Sequence, residues 1–202
     1  LASFPTRRSS DLNTGVVASD TTAVGTAFAY RFACSYSADR DKGIFRGGYN
    51  GGIVSTSNLV SNGGVVATDT TGVGVGVRSG GACEYGQDKG IFGYGNTGSN
   101  VSITNLVSNS GVVATDTTGV GTARSEPAAA GYGTDKAIFA YGTTGSNVSM
   151  SNLVNSSGVV ASDVTGVGTA RSLLAAVGYG GDKAIFGYGT TGSVSSLTNL
   201  VS

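Results

Sequence analysis

A segment of the form Asp-Lys-x-Ile-Phe recurs at a fixed interval, and this repeat constrains the fold more than any other feature of the sequence. Its copies are 47 residues apart and begin at Asp41, Asp88, Asp135 and Asp182. A second marker, Asn-Leu-Val, has the same spacing and begins at Asn58, Asn105, Asn152 and Asn199. Self-similarity at a period of roughly 20–50 residues is typical of solenoids, propellers and other repeat arrays. The sequence therefore predicts a repeat protein, with repeats at about residues 26–72, 73–119, 120–166 and 167–202.

Each repeat has the pattern of four short β-strands. The first is a segment of small residues that ends in a tyrosine such as Tyr132, and the second is Lys-x-Ile-Phe. The third, such as residues 148–154, alternates apolar and polar side chains, as a half-buried strand does. The fourth begins at Gly-Val-Val, after Ser-, Asn- and Gly-rich residues that predict a tight turn. Apolar residues do not recur at helical spacing, and the sequence therefore predicts an all-β fold.

The sequence also resembles the kelch-type β-propeller repeat. Four strands in about 47 residues is the size of a propeller blade. Arg171, the Ile185-Phe186 pair and the glycines Gly187 and Gly189 stand in the places that the kelch pattern requires, in a divergent form without tryptophan. The resemblance implies that residues 13–202 form a single domain, a four-bladed β-propeller.

The order of strands suggests how such a ring would close. Residues 15–24 match a fourth strand, whereas the last repeat stops after a third strand. We expect residues 15–24 to complete the last blade, with Val16 and Val17 on the same sheet as residues 199–201. An open fragment of a larger propeller is the alternative.

The first residues differ from the rest of the chain. Residues 3–12 resemble the translation of a widely used short-read sequencing adapter. This match indicates a gene read from unassembled or environmental DNA. Residues 1–12 are therefore predicted to be an artefactual tail that packs on nothing.

Charge and composition narrow the range of functions. The chain has 12 basic and 12 acidic residues, so the sequence does not predict the excess of basic side chains that binds nucleic acid. No apolar run approaches the ~20 residues of a membrane span. Histidine is absent, which removes the usual general base of a catalytic triad. The two cysteines, Cys34 and Cys83, are compatible with a disulfide between neighbouring repeats or with two free buried thiols.

Most of the charges recur in register and are expected to be structural. Arginines at 31, 78, 124 and 171 are predicted to pair with carboxylates and to tie one blade to the next. Catalysis by paired carboxylates needs two groups in different environments, and repetition gives them the same environment. We therefore predict no enzyme and no cofactor.

Two Gly-x-Gly-x-x-Gly segments, at Gly93 and Gly187, precede strand patterns and predict turns rather than nucleotide sites.

Residues that depart from the repeat are the candidates for a binding surface. These are Asp39, Arg40, Arg46, Glu84 and Glu126. The prediction is a non-catalytic binding or structural module with a protein or glycan partner. Its Gly/Ser/Thr-rich repeats look like those of viral and bacterial surface or appendage proteins, which implies a virion or extracellular location.

The alternative function is a carbohydrate-binding or carbohydrate-active propeller. In that case Tyr94, Tyr141 and Tyr188 would be exposed and would stack on sugars.

For the core, the repeat predicts that its four phenylalanines are buried between adjacent sheets, at positions 45, 92, 139 and 186.

Overall fold

A computed structural model describes residues 19–202. The predicted tail at residues 1–12 and the pairing of Val16 and Val17 lie outside these residues. The described part contains strands and no helix, in agreement with the all-β prediction. The strands are β1 Phe32–Tyr36, β2 Lys42–Arg46, β3 Ser57–Val60, β4 Gly81–Tyr85, β5 Lys89–Asn96, β6 Asn100–Val107, β7 Ala128–Tyr132, β8 Lys136–Ala140, β9 Ser151–Val154, β10 Ala175–Tyr179, β11 Lys183–Gly187 and β12 Thr198–Val201.

The strands form four antiparallel sheets of three strands each, one sheet per repeat. In every sheet the three strands lie in chain order, with the Lys-x-Ile-Phe strand in the middle. The same register recurs: Phe139 pairs with Ala129 on β7 and with Asn152 on β9, and Phe92 pairs likewise with Ala82 and Asn105. The first three predicted strands of each repeat are therefore confirmed.

Within residues 19–202, the segments predicted as fourth strands do not form continuous strands. In the third repeat this segment touches β9 at two isolated bridges, Val154 with Val160 and Ser151 with Val164. Between them the side chain of Asn152 donates a hydrogen bond to the carbonyl of Ala161, at 3.0 Å. Between the two bridges, a side-chain amide and not a backbone N–H thus donates to the backbone carbonyl of the fourth segment.

Successive sheets pack against each other through their first strands. β1 contacts β4, β4 contacts β7, and β7 contacts β10. Backbone hydrogen bonds link the hairpin turns of neighbouring sheets, from Gly86 N to Asp135 O and from Gly133 N to Asp182 O, both 2.7 Å. The array is thus held together by backbone as well as side-chain contacts.

Aromatic residues fill the space between the sheets. Phe139 meets Tyr94 of the preceding repeat edge to face, with ring centroids 5.2 Å apart, and Phe186 meets Tyr141 at 5.7 Å. Small residues on the facing strand make room, since a Cβ added at Gly81 would lie 3.0 Å from the Phe139 ring. The Ala/Gly-rich first strands therefore accommodate the phenylalanine of the next sheet.

The prediction that all four phenylalanines are buried is correct for three of them. Phe92, Phe139 and Phe186 are buried, but Phe45 is 40% exposed. Phe45 lies on the face of the first sheet that points away from the second, and no sheet in the described part of the chain covers it.

The first Gly-x-Gly-x-x-Gly segment lies in a hairpin. Gly93 and Gly95 belong to β5, and the chain turns at residues 97–99 into β6. A phosphate-binding loop needs a helix at this point. The predicted turn is confirmed here.

Candidate functional site

The repeated arginine, asparagine and aspartate form one hydrogen-bonded chain. In the third repeat Arg124 donates to Tyr141 O at 2.9 Å, to Thr122 O at 3.2 Å and to Asn152 Oδ1 at 2.7 Å. Asn152 Nδ2 in turn donates to Asp163 Oδ1 at 2.9 Å. Arg124 and Asn152 are fully buried, and the backbone N and hydroxyl of Thr122 complete the shell of the carboxylate.

This arrangement corrects the predicted pairing of arginine with carboxylate. Asn152 separates the Arg124 guanidinium from Asp163, and each charged group bonds to the amide instead. Burial works against ionisation of Asp163, but hydrogen bonds from Thr122 and Asn152 outweigh it and lower the pKa of the carboxyl. Burial also lowers the pKa of Arg124. The network is structural, because these donors and acceptors satisfy one another inside the repeat.

The strand register also corrects the alignment of the arginines. Gly81 pairs with Gly93 and Ala128 pairs with Ala140, which makes Gly81 equivalent to Ala128. Arg124 lies four residues before Ala128, and the residue four before Gly81 is Val77 and not Arg78. Arg78 instead lies near two tyrosine rings of the first repeat, Tyr30 at 5.9 Å and Tyr49 at 5.3 Å.

Arg46 takes the place of the interface tyrosine, because the residue of the first repeat that is equivalent to Tyr94 is Gly47. Arg46 is buried, it lies 5.7 Å from the Phe92 ring, and it donates to Val73 O at 2.6 Å. At the next interface the equivalent carbonyl accepts from the Tyr94 hydroxyl. Arg46 was predicted to be part of an exposed binding surface, and this is wrong because its side chain crosses into the neighbouring repeat.

The tyrosines predicted to stack on sugars differ in exposure. Tyr94 and Tyr141 are buried beneath Arg124 and Arg171, with 4.0 and 4.4 Å between guanidinium carbon and ring centroid. Burial raises the pKa of Tyr94 to about 12. These two rings are unavailable to a ligand. Tyr188, the equivalent residue of the last repeat, is 65% exposed.

Two of the predicted surface residues come together at the end of the first strands. Arg40 Nη1 lies 3.4 Å from Glu84 Oε1, and Arg40 also donates to Gln87 O and Thr134 O. They line a cleft of about 100 Å³ that reaches across the second, third and fourth repeats to Lys183. We call this the Arg40 cleft. Asp39 is exposed beside Arg40 in the sequence.

Glu126 lies at the opposite end of the first strands. It precedes β7 directly, whereas Glu84 lies near the far end of β4. A five-residue strand spans about 16 Å, so Glu126 and Glu84 face different surfaces of the array. The five predicted residues therefore do not form one binding surface.

Glu126 instead lines a second cleft, which we call the Tyr30 cleft. Its volume is about 230 Å³, and its walls are Tyr30, Arg78, Ser79, Asn96, Ser125 and Glu126. The cleft lies between the first three repeats, where equivalent positions carry different residues, such as Tyr30, Ser79 and Glu126. It therefore presents an individual combination of side chains on a repeated framework.

The backbone holds one position of this region in an unusual conformation. Tyr30, Ser79, Glu126 and Leu173 occupy equivalent places, and all have φ between 53° and 57°. Non-glycine residues at positive φ cost roughly 1–3 kcal/mol each and persist only where the surroundings impose them. Four different side chains therefore project from one fixed backbone geometry. Only Glu126 was predicted from sequence; an alignment by strand register identifies Tyr30 as its counterpart.

The two cysteines are free thiols, which decides between the two alternatives in the sequence. Cys83 is buried and Cys34 is half-buried. Burial raises the pKa of Cys34 to about 12 and raises that of Cys83 well above its usual range. The thiolate is the nucleophile, so both groups are expected to be inert near neutral pH.

We predict that native protein reacts with iodoacetamide at least ~100-fold more slowly at pH 8 than denatured protein. A thiol with a pKa near 12 is only about 10⁻⁴ ionised at pH 8. Because the folded pKa is raised, the native rate should keep increasing up to pH 11, whereas the denatured rate should level off near pH 9–10. Mass spectrometry of alkylated peptides measures both rates. Equal rates at pH 8 would contradict the raised pKa.

Metal-binding clusters and membrane-spanning helices are absent from the described part of the chain. Residues 19–202 contain no group of three or more histidine, cysteine or acidic side chains that could hold a metal ion. Over the same residues there is no helix that could span a membrane. A scan against protein-family models and a search of curated proteins both find no match for the chain.

Proposed function

We propose that the chain is a non-catalytic structural and binding module, in which a rigid framework of repeats displays a variable surface. The observation that carries this proposal is the separation of two sets of polar residues. Those copied through the repeats, such as Arg124, Asn152 and Asp163, satisfy one another inside the array. Those that vary, such as Tyr30 and Glu126, line an open cleft.

The repeated carboxylates support a non-catalytic role. Hydrogen bonds from Asn58 and Thr26 lower the pKa of Asp69, and Asp163 has the same kind of partners. In acid–base catalysis by two carboxylates, the surroundings raise the pKa of one group relative to that of the other. Asp69 and Asp163 have similar surroundings and a shift in the same direction. Both serve as acceptors that hold the start of their own repeat.

We further propose that the array is of the β-propeller type, with each sheet as one blade of a kelch-like repeat. Support comes from the repeat length, from the packing of successive first strands, and from the segments that follow β3, β6 and β9 and bridge back to those strands. A closed four-bladed ring, completed by residues 15–24, stays a prediction, and an open arc of a larger propeller is its alternative. Such modules suit the surface or appendage proteins of viruses and bacteria.

A glycan ligand is the second candidate, and the Tyr30 cleft favours it. Tyr30 is 61% exposed, Tyr49 is also exposed, and Arg78, Asn96 and Glu126 add charged and amide groups beside the rings. Sugars are bound by stacking on an aromatic face together with hydrogen bonds to their hydroxyls. If the chain binds glycans, this cleft replaces the buried Tyr94 and Tyr141 as the binding site.

We predict that Tyr30→Ala and Glu126→Ala change the free energy of unfolding by less than about 1 kcal/mol, as surface substitutions do. On a glycan array, any glycan bound by the native protein should bind these variants at least ~10-fold more weakly. Asp39→Ala is the control, because Asp39 is exposed at the other end of the strands. Loss of stability in either variant would refute the proposed display role. Glycan binding that survives both substitutions would refute the glycan site and leave the structural module intact.

A further inference from the structure

The second and third repeats each place one charged side chain on the Tyr30 cleft. Arg78 of the second repeat and Glu126 of the third line its walls. Arg78 stands where the other repeats have alanine or serine, and Glu126 stands where they have tyrosine, serine or leucine. The two charges are therefore not copies of the repeat pattern, and the framework does not require them.

Backbone hydrogen bonds fix these two residues side by side. Ser79 N donates to Tyr30 O at 3.2 Å, and Glu126 N donates to Ser79 O at 2.8 Å. Arg78 directly precedes Ser79, and its backbone exchanges two hydrogen bonds with that of Asn96, at 3.0 and 2.9 Å. The rim that carries both charges is therefore fixed by backbone contacts between three repeats before any ligand binds, which favours affinity.

Although they are neighbours, the two charged groups are not paired with each other. Within residues 19–202, the ion pairs closer than 4.0 Å all involve other residues. The hydrogen bonds that Arg78 and Glu126 form in this part of the chain are backbone bonds. A guanidinium and a carboxylate thus line one cleft, and neither group uses its donors or acceptors on the described residues.

Aromatic rings position the Arg78 guanidinium instead. Its central carbon lies 5.9 Å from the centroid of the Tyr30 ring and 5.3 Å from that of the Tyr49 ring. Contact with an aromatic face orients the planar group without using its N–H donors. These donors are therefore available for a carboxylate, which a guanidinium binds in a bidentate arrangement.

We propose that the Tyr30 cleft binds a free α-amino acid, whose carboxylate pairs with Arg78 and whose ammonium group pairs with Glu126. A ligand with a single charge would leave one of these side chains unpaired or repelled. The cleft volume of about 230 Å³ suits a molecule smaller than the drug-sized ligands of pockets of about 300–1,000 Å³. The exposed Tyr30 ring offers a stacking surface for an aromatic side chain of the ligand. This ligand class rests on the binding role proposed above for the same cleft.

L-Phenylalanine is the probe, and an NMR titration should give a Kd on the order of 1 mM, as expected for a ligand of about twelve heavy atoms. Two derivatives remove one charge each. N-acetyl-L-phenylalanine lacks the ammonium group, whereas L-phenylalanine amide lacks the carboxylate and is still protonated at about pH 6. Each derivative should bind at least ~10-fold more weakly, because one charged group of the cleft is then left without a partner.

Two variants assign each ligand charge to its partner. Arg78→Gln should weaken the binding of L-phenylalanine at least ~10-fold but change the affinity for the amide less than ~2-fold, since the amide has no carboxylate to lose. Glu126→Gln should give the converse result, with N-acetyl-L-phenylalanine as the ligand whose affinity is kept. Asp39→Asn is the control, because Asp39 is exposed at the other end of the strands. Thermal denaturation checks that all three variants are folded.

Three outcomes would overturn the proposal. They are equal affinity for L-phenylalanine and either derivative, binding that survives both Arg78→Gln and Glu126→Gln, and no binding of any of the proteinogenic L-amino acids. The glycan array separates these results from the proposed function. A glycan that binds native protein but not Tyr30→Ala, when no amino acid binds, would keep the binding role of the cleft and exclude only the amino-acid ligand. If neither kind of ligand binds, the binding role is lost as well.

Discussion

Replacement of Phe139 by Ala should lower the free energy of unfolding by about 3–5 kcal/mol, as expected for a large aromatic side chain in a well-packed core. The ring is fully buried between the second and third sheets, where it meets Tyr94 edge to face. Gly81 and Gly93, which face the ring, have no side chain that could fill the cavity. Urea denaturation followed by tyrosine fluorescence measures the loss.

Phe45→Ala provides the matched control for this prediction. Phe45 occupies the same place in its repeat, but it is 40% exposed. The same substitution should therefore cost less than about 1.5 kcal/mol. Equal losses at both positions would show that the second and third sheets do not pack as described.

The repeated markers made the strands predictable. The alternation before Asn152 and the fixed place of Lys-x-Ile-Phe reflect local physics, namely which side chains a pleated strand presents to each face. The turns were predictable for a similar reason, because Gly111 and Gly158 adopt positive φ where glycine is favoured.

Burial at the interfaces between sheets was not predictable in the same way. Phe45 and Phe139 end the same Asp-Lys-x-Ile-Phe segment, and the presence of a neighbouring sheet makes one buried and the other exposed. Tyr94 was open to two interpretations because a tyrosine has an apolar ring and a polar hydroxyl. Its hydroxyl reaches a backbone carbonyl of the next repeat, which no local pattern indicates.

The candidate site was the least predictable part. Arg46 departs from the repeat for a structural reason. It supplies to the second repeat the contacts with a phenylalanine ring and a backbone carbonyl that Tyr94 supplies to the third. A residue that differs from the repeat therefore either lies on a variable surface or replaces a missing contact in the core. The residue type alone does not distinguish these two cases. The equivalence of Tyr30 and Glu126 becomes visible only when the repeats are aligned by the pairing of their strands.

Replacement of Arg124 by Ala should cost about 3–5 kcal/mol of unfolding free energy. The guanidinium donates to Tyr141 O and Asn152 Oδ1 in the buried interior and also covers the Tyr94 ring. A buried acceptor that loses its partner costs about 1–3 kcal/mol, more when the lost donor is charged. Asn152 would then hold Asp163 without its own anchor.

Arg78→Ala is the control for Arg124→Ala, because the sequence alone aligns these two arginines whereas the strand register does not. Arg78 is half-buried and lies near Tyr30 and Tyr49, contacts worth about 0.5–1 kcal/mol at an exposed site. Its removal should therefore cost less than about 1.5 kcal/mol. Comparable losses for the two variants would favour the sequence alignment and contradict the hydrogen-bonded network. A large loss for Arg124 alone would establish that the arginine, asparagine and aspartate act as one structural unit, which leaves the varied residues of the Tyr30 cleft free to bind.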